Sequence, residues 1–106
     1  MATKAKIGGI FRGLDKYGYK VKSFGDNRSL RKGQSGWIDV VIYNYKYFIC
    51  IEIKTTDTKD KFSDEQKETA KMLSSIMAIN KTFYYQVIRT EKEANNYFDR
   101  ILAQDL

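Results

Sequence analysis

Apolar residues recur along this chain with two different periods, and the change from one to the other marks its elements. Ile7, Ile10, Phe11 and Leu14 fall at i, i+3, i+4 and i+7, the stripe of an amphipathic helix, although Gly8, Gly9 and Gly13 weaken it. Gly18 can close that helix. Residues 19–24 (YKVKSF) then alternate apolar with basic, which predicts a half-exposed strand with Lys20 and Lys22 on its wet face. Residues 37–43 (WIDVVIY) and 47–54 (YFICIEIK) are rich in β-branched and aromatic side chains, and Asn44-Tyr45-Lys46 between them suits a tight turn, so they predict a β-hairpin. Ser63-Asp64-Glu65-Gln66 has the pattern of a capping box, with Phe62 placed as a hydrophobic staple. A helix is predicted from there to about Ile79, with Ala70, Leu73, Ile76 and Met77 as its stripe. Residues 82–88 (TFYYQVI) predict another strand. Thr90-x-x-Glu93 opens a last helix with Ala94, Tyr97, Phe98, Ile101 and Leu102 inward. The order α-β-β-β-α-β-α is that of an α/β sandwich around a four-stranded mixed sheet, the last strand able to pair in parallel after its helical crossover.

Strand alternation sorts the hairpin's charges. Glu52 and Lys54 share a face with Cys50, while Ile49, Ile51 and Ile53 line the opposite face against a helix. An even-numbered hairpin loop puts Asp39 on the face of Glu52, directly across or one diagonal step away. The expected product is a cluster of two carboxylates and one amine within apolar strands. Two carboxylates hold Mg²⁺ while leaving positions for water and a phosphate oxygen, and an ammonium nearby orients that water or offsets developing charge. The same residues also admit a plainer reading, an ion pair at a strand end beside a solvated aspartate.

Composition narrows the chemistry. The 106 residues make one domain, 1–106, and a chain of this length buries roughly 60 to 70% of its unfolded surface, enough for one core. The absence of histidine removes Ser-His-Asp and Cys-His catalysis and histidine-held metals. Cys50 is the single cysteine, so neither an internal disulfide nor a zinc framework is available, and a reducing cytoplasm suits it. No apolar run approaches the roughly 18 to 20 residues of a membrane span, and residues 1–6 lack a signal peptide's apolar region. A soluble, cytoplasmic protein is expected.

Charge adds direction to this picture. Residues 1–36 carry nine Lys/Arg against two Asp, whereas residues 37–106 balance to −1. The basic surplus thus leads into the carboxylate cluster, where a polyanion would be gripped. Residues 25–36 (GDNRSLRKGQSG) read as a glycine-bounded polar loop whose Arg28, Arg31 and Lys32, with Lys20 and Lys22, are candidate nucleic-acid contacts. The loop serves equally as a plain connector. The tyrosines Tyr17, Tyr19, Tyr43, Tyr45 and Tyr47 suggest either a base-stacking surface or ordinary strand and edge packing.

Taken in order, Ser35-Gly36-Trp37-Ile38-Asp39-Val40-Val41, residues 48–54 ending in Glu52-Ile53-Lys54, and Ser63-x-x-Gln66-Lys67 resemble the PD-(D/E)XK nuclease superfamily. Within it, the chain looks most like the small stand-alone VRR-NUC domains often found in phages. The resemblance spans about residues 19–89. It implies a restriction-endonuclease-like core and a metal-dependent endonuclease acting on DNA, branched forms such as a Holliday junction or flap included. Asp39, Glu52 and the Ile53 carbonyl would then hold Mg²⁺ or Mn²⁺, Lys54 would activate the attacking water, and Gln66 would touch the lysine or DNA. Gln66 is equally explained as a helix cap. Stand-alone members tend to work as homodimers. Two departures from the pattern stand out: Ile38 replaces the motif's proline, and the first helix lacks the family's glutamate, its only acid being Asp15. Either Asp15 substitutes, or fewer carboxylates hold the metal, or activity is weakened or lost. In the last case the chain would be a nuclease-fold protein that binds nucleic acid or a protein partner without cutting.

Overall fold

Thr3, in extended conformation, caps the first helix, its hydroxyl oxygen accepting from the Lys6 amide at 3.1 Å. The structure is a computed structural model that describes residues 3–24, 37–55 and 61–106. Helix α1 spans Lys4–Ile10 and passes directly into a 3₁₀ segment, Phe11–Tyr17. Ile7, Phe11 and Leu14 are fully buried and Ile10 is half-buried, as the apolar period predicts. Gly8 earns its place by proximity, since a Cβ there would stand 3.2 Å from Ile53 Cδ1 and 3.4 Å from Val40 Cγ2. The bare backbone therefore lets α1 lie flat on the strands beneath it. Gly18 ends the segment in the left-handed region at φ 87°.

The strands are β1 (Lys20–Ser23), β2 (Val40–Tyr43), β3 (Phe48–Ile53) and β4 (Phe83–Ile88), side by side in that order. The first three pair antiparallel, and β3 pairs with β4 in parallel. Between β3 and β4 lies α2 (Asp64–Ile79), and α3 (Glu91–Ala103) closes the chain. The class is α/β: among the described residues, a four-stranded mixed sheet with three helices, in the order α-β-β-β-α-β-α. The hairpin strands are shorter than predicted. Residues 37–39 lead into β2, Lys54 follows β3, and Tyr47 belongs to the loop 44–47, which is closed from within. Asn44 Oδ1 accepts from the amides of Lys46 (2.9 Å) and Tyr47 (2.7 Å), and the Asn44 amide donates to Tyr47 O at 3.0 Å.

Two cores follow from the alternation. One face of the sheet presents Val40, Ile42, Ile49, Ile51, Ile53 and Ile88 to Ile7, Phe11 and Leu14 and to Ala94, Tyr97 and Ile101 of α3. The other face presents Val41, Cys50 and Tyr85, together with Ile38, to Ala70 and Leu73 of α2. α2 fits its face loosely, with no residue fully buried and with Met72, Ile76 and Ile79 exposed. The predicted stripe holds at Ala70, Leu73 and Met77 but not at Ile76. The capping box at Ser63 and Gln66 is complete. At Thr90 only half forms: Glu93 N donates to Thr90 Oγ1, while the Glu93 carboxylate takes the amide of Arg89 instead. Among the described residues, no helix is long and apolar enough to cross a membrane.

Candidate active site

The hairpin register decides what stands next to what. Val40 pairs with Ile51, so one step further Asp39 lies opposite Glu52, the nearer of the two positions that the spacing allowed. Lys54 follows on the same strand face as Glu52 and Cys50. All three charged groups are about 2% exposed. Charges so deeply buried are costly unless their polar atoms find partners or a counter-ion.

Most of them do find partners. Asp39 Oδ2 accepts from the Ile53 amide at 2.8 Å, so the carboxylate is anchored to the end of β3. Lys54 Nζ donates to Gln66 Oε1 at 2.7 Å and to the Lys61 carbonyl at 3.2 Å, and stands 3.9 Å from Glu52 Oε1. The ring of Phe62 lies 5.0 Å from the same ammonium. The predicted staple is thus not what Phe62 does: the partner position on the helix is the exposed Lys67, and the ring faces a buried cation instead. Gln66 joins both sides of the cluster. Its Oε1 accepts from Lys54 and from the Ser63 amide, at 3.0 Å, while its Nε2 donates to Glu52 Oε1 at 2.9 Å. Cap and site contact, set out as alternatives from sequence, are both made by one side chain.

Glu52 keeps one unmet demand. Its Oε2 is buried and accepts no hydrogen bond from the described residues. Burial, and after it the charge of Asp39, pushes the Glu52 carboxyl up to about 8, against the opposing pull of Lys54 and Lys4. Ionised, Glu52 leaves Oε2 without a donor; protonated, it has the Asp39 carboxylate as acceptor. Either a proton or a metal cation answers this arrangement, and the oxygen-only donor set of Asp39 and Glu52 suits a hard divalent ion. Cys50 is no competing ligand or nucleophile, because burial pushes its thiol up to about 11. Tyr85, beneath the cluster, is pushed up to about 12 by burial and then by the Glu52 and Asp39 charges.

A cavity of about 60 Å³ opens beside Asp39, lined by Lys4, Ala5, Gly8 and Arg12 on the helical side and by Ser23, Val40 and Ile53 on the sheet. By volume it holds more than one water-sized group. Asp15, offered as a substitute for the missing helix glutamate, is exposed on the 3₁₀ segment and is not among the lining residues. Asp15 follows Arg12 by three residues, one turn further along the 3₁₀ segment, beyond Lys4, Gly8 and Arg12, which do line the cavity. Among the described residues no third acidic or cysteine ligand joins the two carboxylates. Lys4 and Arg12 are the residues that sequence reasoning missed, although their spacing beside the Ile7, Phe11, Leu14 stripe was a usable signal.

The remaining candidates divide. Lys20 and Lys22 are exposed on β1, as predicted. Arg28, Arg31 and Lys32 lie outside the described residues. The tyrosines do not form one stacking surface: Tyr19 and Tyr47 are buried, Tyr43 stacks on Phe48, Tyr17 meets the edge of Phe98, and Tyr45 stands fully exposed in the hairpin loop. No family model matches the chain, and no curated protein or solved structure matches it either.

Proposed function

We propose that this protein is a divalent-metal-dependent endonuclease that hydrolyses DNA phosphodiester bonds on a restriction-endonuclease-like core of the PD-(D/E)XK type. The observation that carries this reading is the opposition of Asp39 and Glu52 in a buried register, one oxygen of the pair without a donor, beside an ammonium held by Gln66. Mg²⁺ or Mn²⁺ held by Asp39, Glu52 and the Ile53 carbonyl would polarise the phosphoryl group and acidify the attacking water. Lys54 works from a fixed position, since Gln66 and the Lys61 carbonyl hold its ammonium beside Glu52 before any substrate arrives. From there it orients the water and offsets charge growing on the phosphoryl oxygens. Gln66 is a positioning residue. It sets the distance between Lys54 and Glu52 by bonding to both, and the capping box fixes it in turn.

The basic surplus of residues 1–36, with Lys20 and Lys22 exposed on β1, supports a polyanionic substrate gripped through its phosphates. Branched DNA is the substrate we favour, cut by a homodimer. The exposed Met72, Ile76 and Ile79 of α2 offer an apolar face for a second copy. One observation favours a second reading, a nuclease-fold protein that binds DNA or a partner without cutting: α1 and the 3₁₀ segment after it line the cavity with Lys4 and Arg12, and with no carboxylate.

The deciding experiment is cleavage of a labelled four-way junction, a flap and a matched linear duplex with Mg²⁺, Mn²⁺ or EDTA, run beside Lys54→Ala. Metal-dependent cutting that the variant loses establishes the nuclease, and the preferred substrate gives its class. Salt-sensitive binding with no cutting under any ion establishes the second reading.

A further inference from the structure

Helix α1 and the 3₁₀ segment that continues it send their cations in two directions. Lys6 turns away to Glu91 of α3, its Nζ 3.7 Å from the carboxylate. Lys4 and Arg12 line the cavity beside Asp39, and Lys4 is close enough for its charge to act on Glu52. Each stands four residues, about one turn, from Gly8, whose missing side chain keeps the floor between them low. Basic groups brought to a carboxylate pair in this way serve no purpose for cation capture alone, since they repel the ion. They suit a site that must take an anion and a cation together.

Charge makes the point sharper. Asp39 shares the cavity with Lys4 and Arg12, Glu52 stands beside Lys54, and one divalent ion consumes both carboxylates. A second ion would find no acidic ligand among the described residues, whereas an anionic phosphate would relieve the positive excess.

We propose that Lys4 and Arg12 form a phosphate-binding subsite of this cavity, so that the centre takes a single divalent ion and lets two side chains hold the phosphate oxygens that a second ion would otherwise neutralise. The inference rests on the nuclease reading for the ion and on the α1 geometry for the phosphate. Arginine and lysine suit the task differently: the guanidinium can grip two oxygens at once, and the ammonium acts as a point charge. Neither side chain is part of the core, since Arg12 is exposed and Lys4 half-buried, so both can be replaced without opening a cavity.

The test uses the full chain with Mn²⁺ and inorganic phosphate as probes. Bound Mn²⁺ is counted by electron paramagnetic resonance, and phosphate affinity is measured by calorimetry in the wild type, in the double variant Lys4→Gln/Arg12→Gln, and in Lys6→Gln as a control. We expect one Mn²⁺ per chain in all three. Phosphate should bind the Mn²⁺-loaded wild type and Lys6→Gln alike and bind the double variant at least 10-fold more weakly, with its melting profile unchanged. Two Mn²⁺ per chain, or equal phosphate affinity in the double variant, would overturn the subsite while leaving the nuclease reading intact. No Mn²⁺ bound by the wild type would instead remove the nuclease reading, and the single-ion centre with it.

Discussion

Replacing Glu52 by glutamine should make the metal-free protein more stable as pH rises, and should also stop it from responding to Mg²⁺. The size of the first effect follows from the raised carboxyl. Glu52 loses its proton at about 8 in the folded protein against 4.5 ordinarily, so between those values the native state keeps a proton that the unfolded chain has released. Stability then falls with rising pH, by about 1.4 kcal/mol per unit for one proton. The contribution is whole below pH 4.5 and gone above about pH 8. Glutamine has the same shape and no such proton. Its Oε1 can still accept from Gln66 Nε2, and its own amide can donate to Asp39 where the carboxyl proton did. Groups away from the cluster titrate alike in both proteins and cancel in the difference. The stability gap should therefore open from pH 4.5 upward and level off beyond pH 8, at roughly 4 °C or more of melting temperature per kcal/mol in a domain of this size. Thermal melts of both proteins in EDTA, at half-unit steps from pH 4.5 to 8.5, measure it. The thiol of Cys50 stays out of that window, being pushed to about 11. In parallel melts without EDTA, Mg²⁺ at 100 times its Kd should stabilise the wild type by about 2.7 kcal/mol and the variant not at all. A gap that stays flat from pH 5 to 8 would refute the reasoning, because it would mean that Glu52 ionises at its ordinary value despite its burial.

Three further outcomes are expected. Lys54→Ala should abolish cleavage and cost about 3 kcal/mol in urea unfolding, since it leaves Gln66 Oε1 and Glu52 without the buried cation they bond or face. Gln66→Ala should lower kcat at least 10-fold with KM for DNA little changed, and should cost about 1 to 2 kcal/mol of stability, because both the cap and the bridge from Lys54 to Glu52 go. Asn44→Ala should lose about 1 kcal/mol by removing the carbonyl that closes the hairpin loop, yet leave the cleavage rate intact, the loop being at the far end of β2 and β3 from Asp39 and Glu52; chemical denaturation paired with the cleavage assay separates the two.

Much of this was written in short-range pattern. The stripe of Ile7, Phe11 and Leu14, the alternation that puts Glu52 and Lys54 on one face, and the Ser63 to Gln66 cap are local periodicities, each set by the geometry of its own element, and the structure has them all. Element order was legible for the same reason. Other features depend on contacts between segments distant in sequence and had no local signature. The ring of Phe62 faces Lys54 because α2 starts beside the end of β3. The side chain of Gln66 spans two groups that only strand pairing brings within reach. The raised Glu52 carboxyl needs both burial and a neighbouring carboxylate from another strand. Most of all, the sequence shows that α1 lacks a glutamate, but only the seating of Gly8 against Val40 and Ile53 decides which residues face the cavity in its place. The chemistry available to the protein was thus determined by residue type and period along the chain, while its arrangement around one cavity was decided by how helix and sheet close on each other.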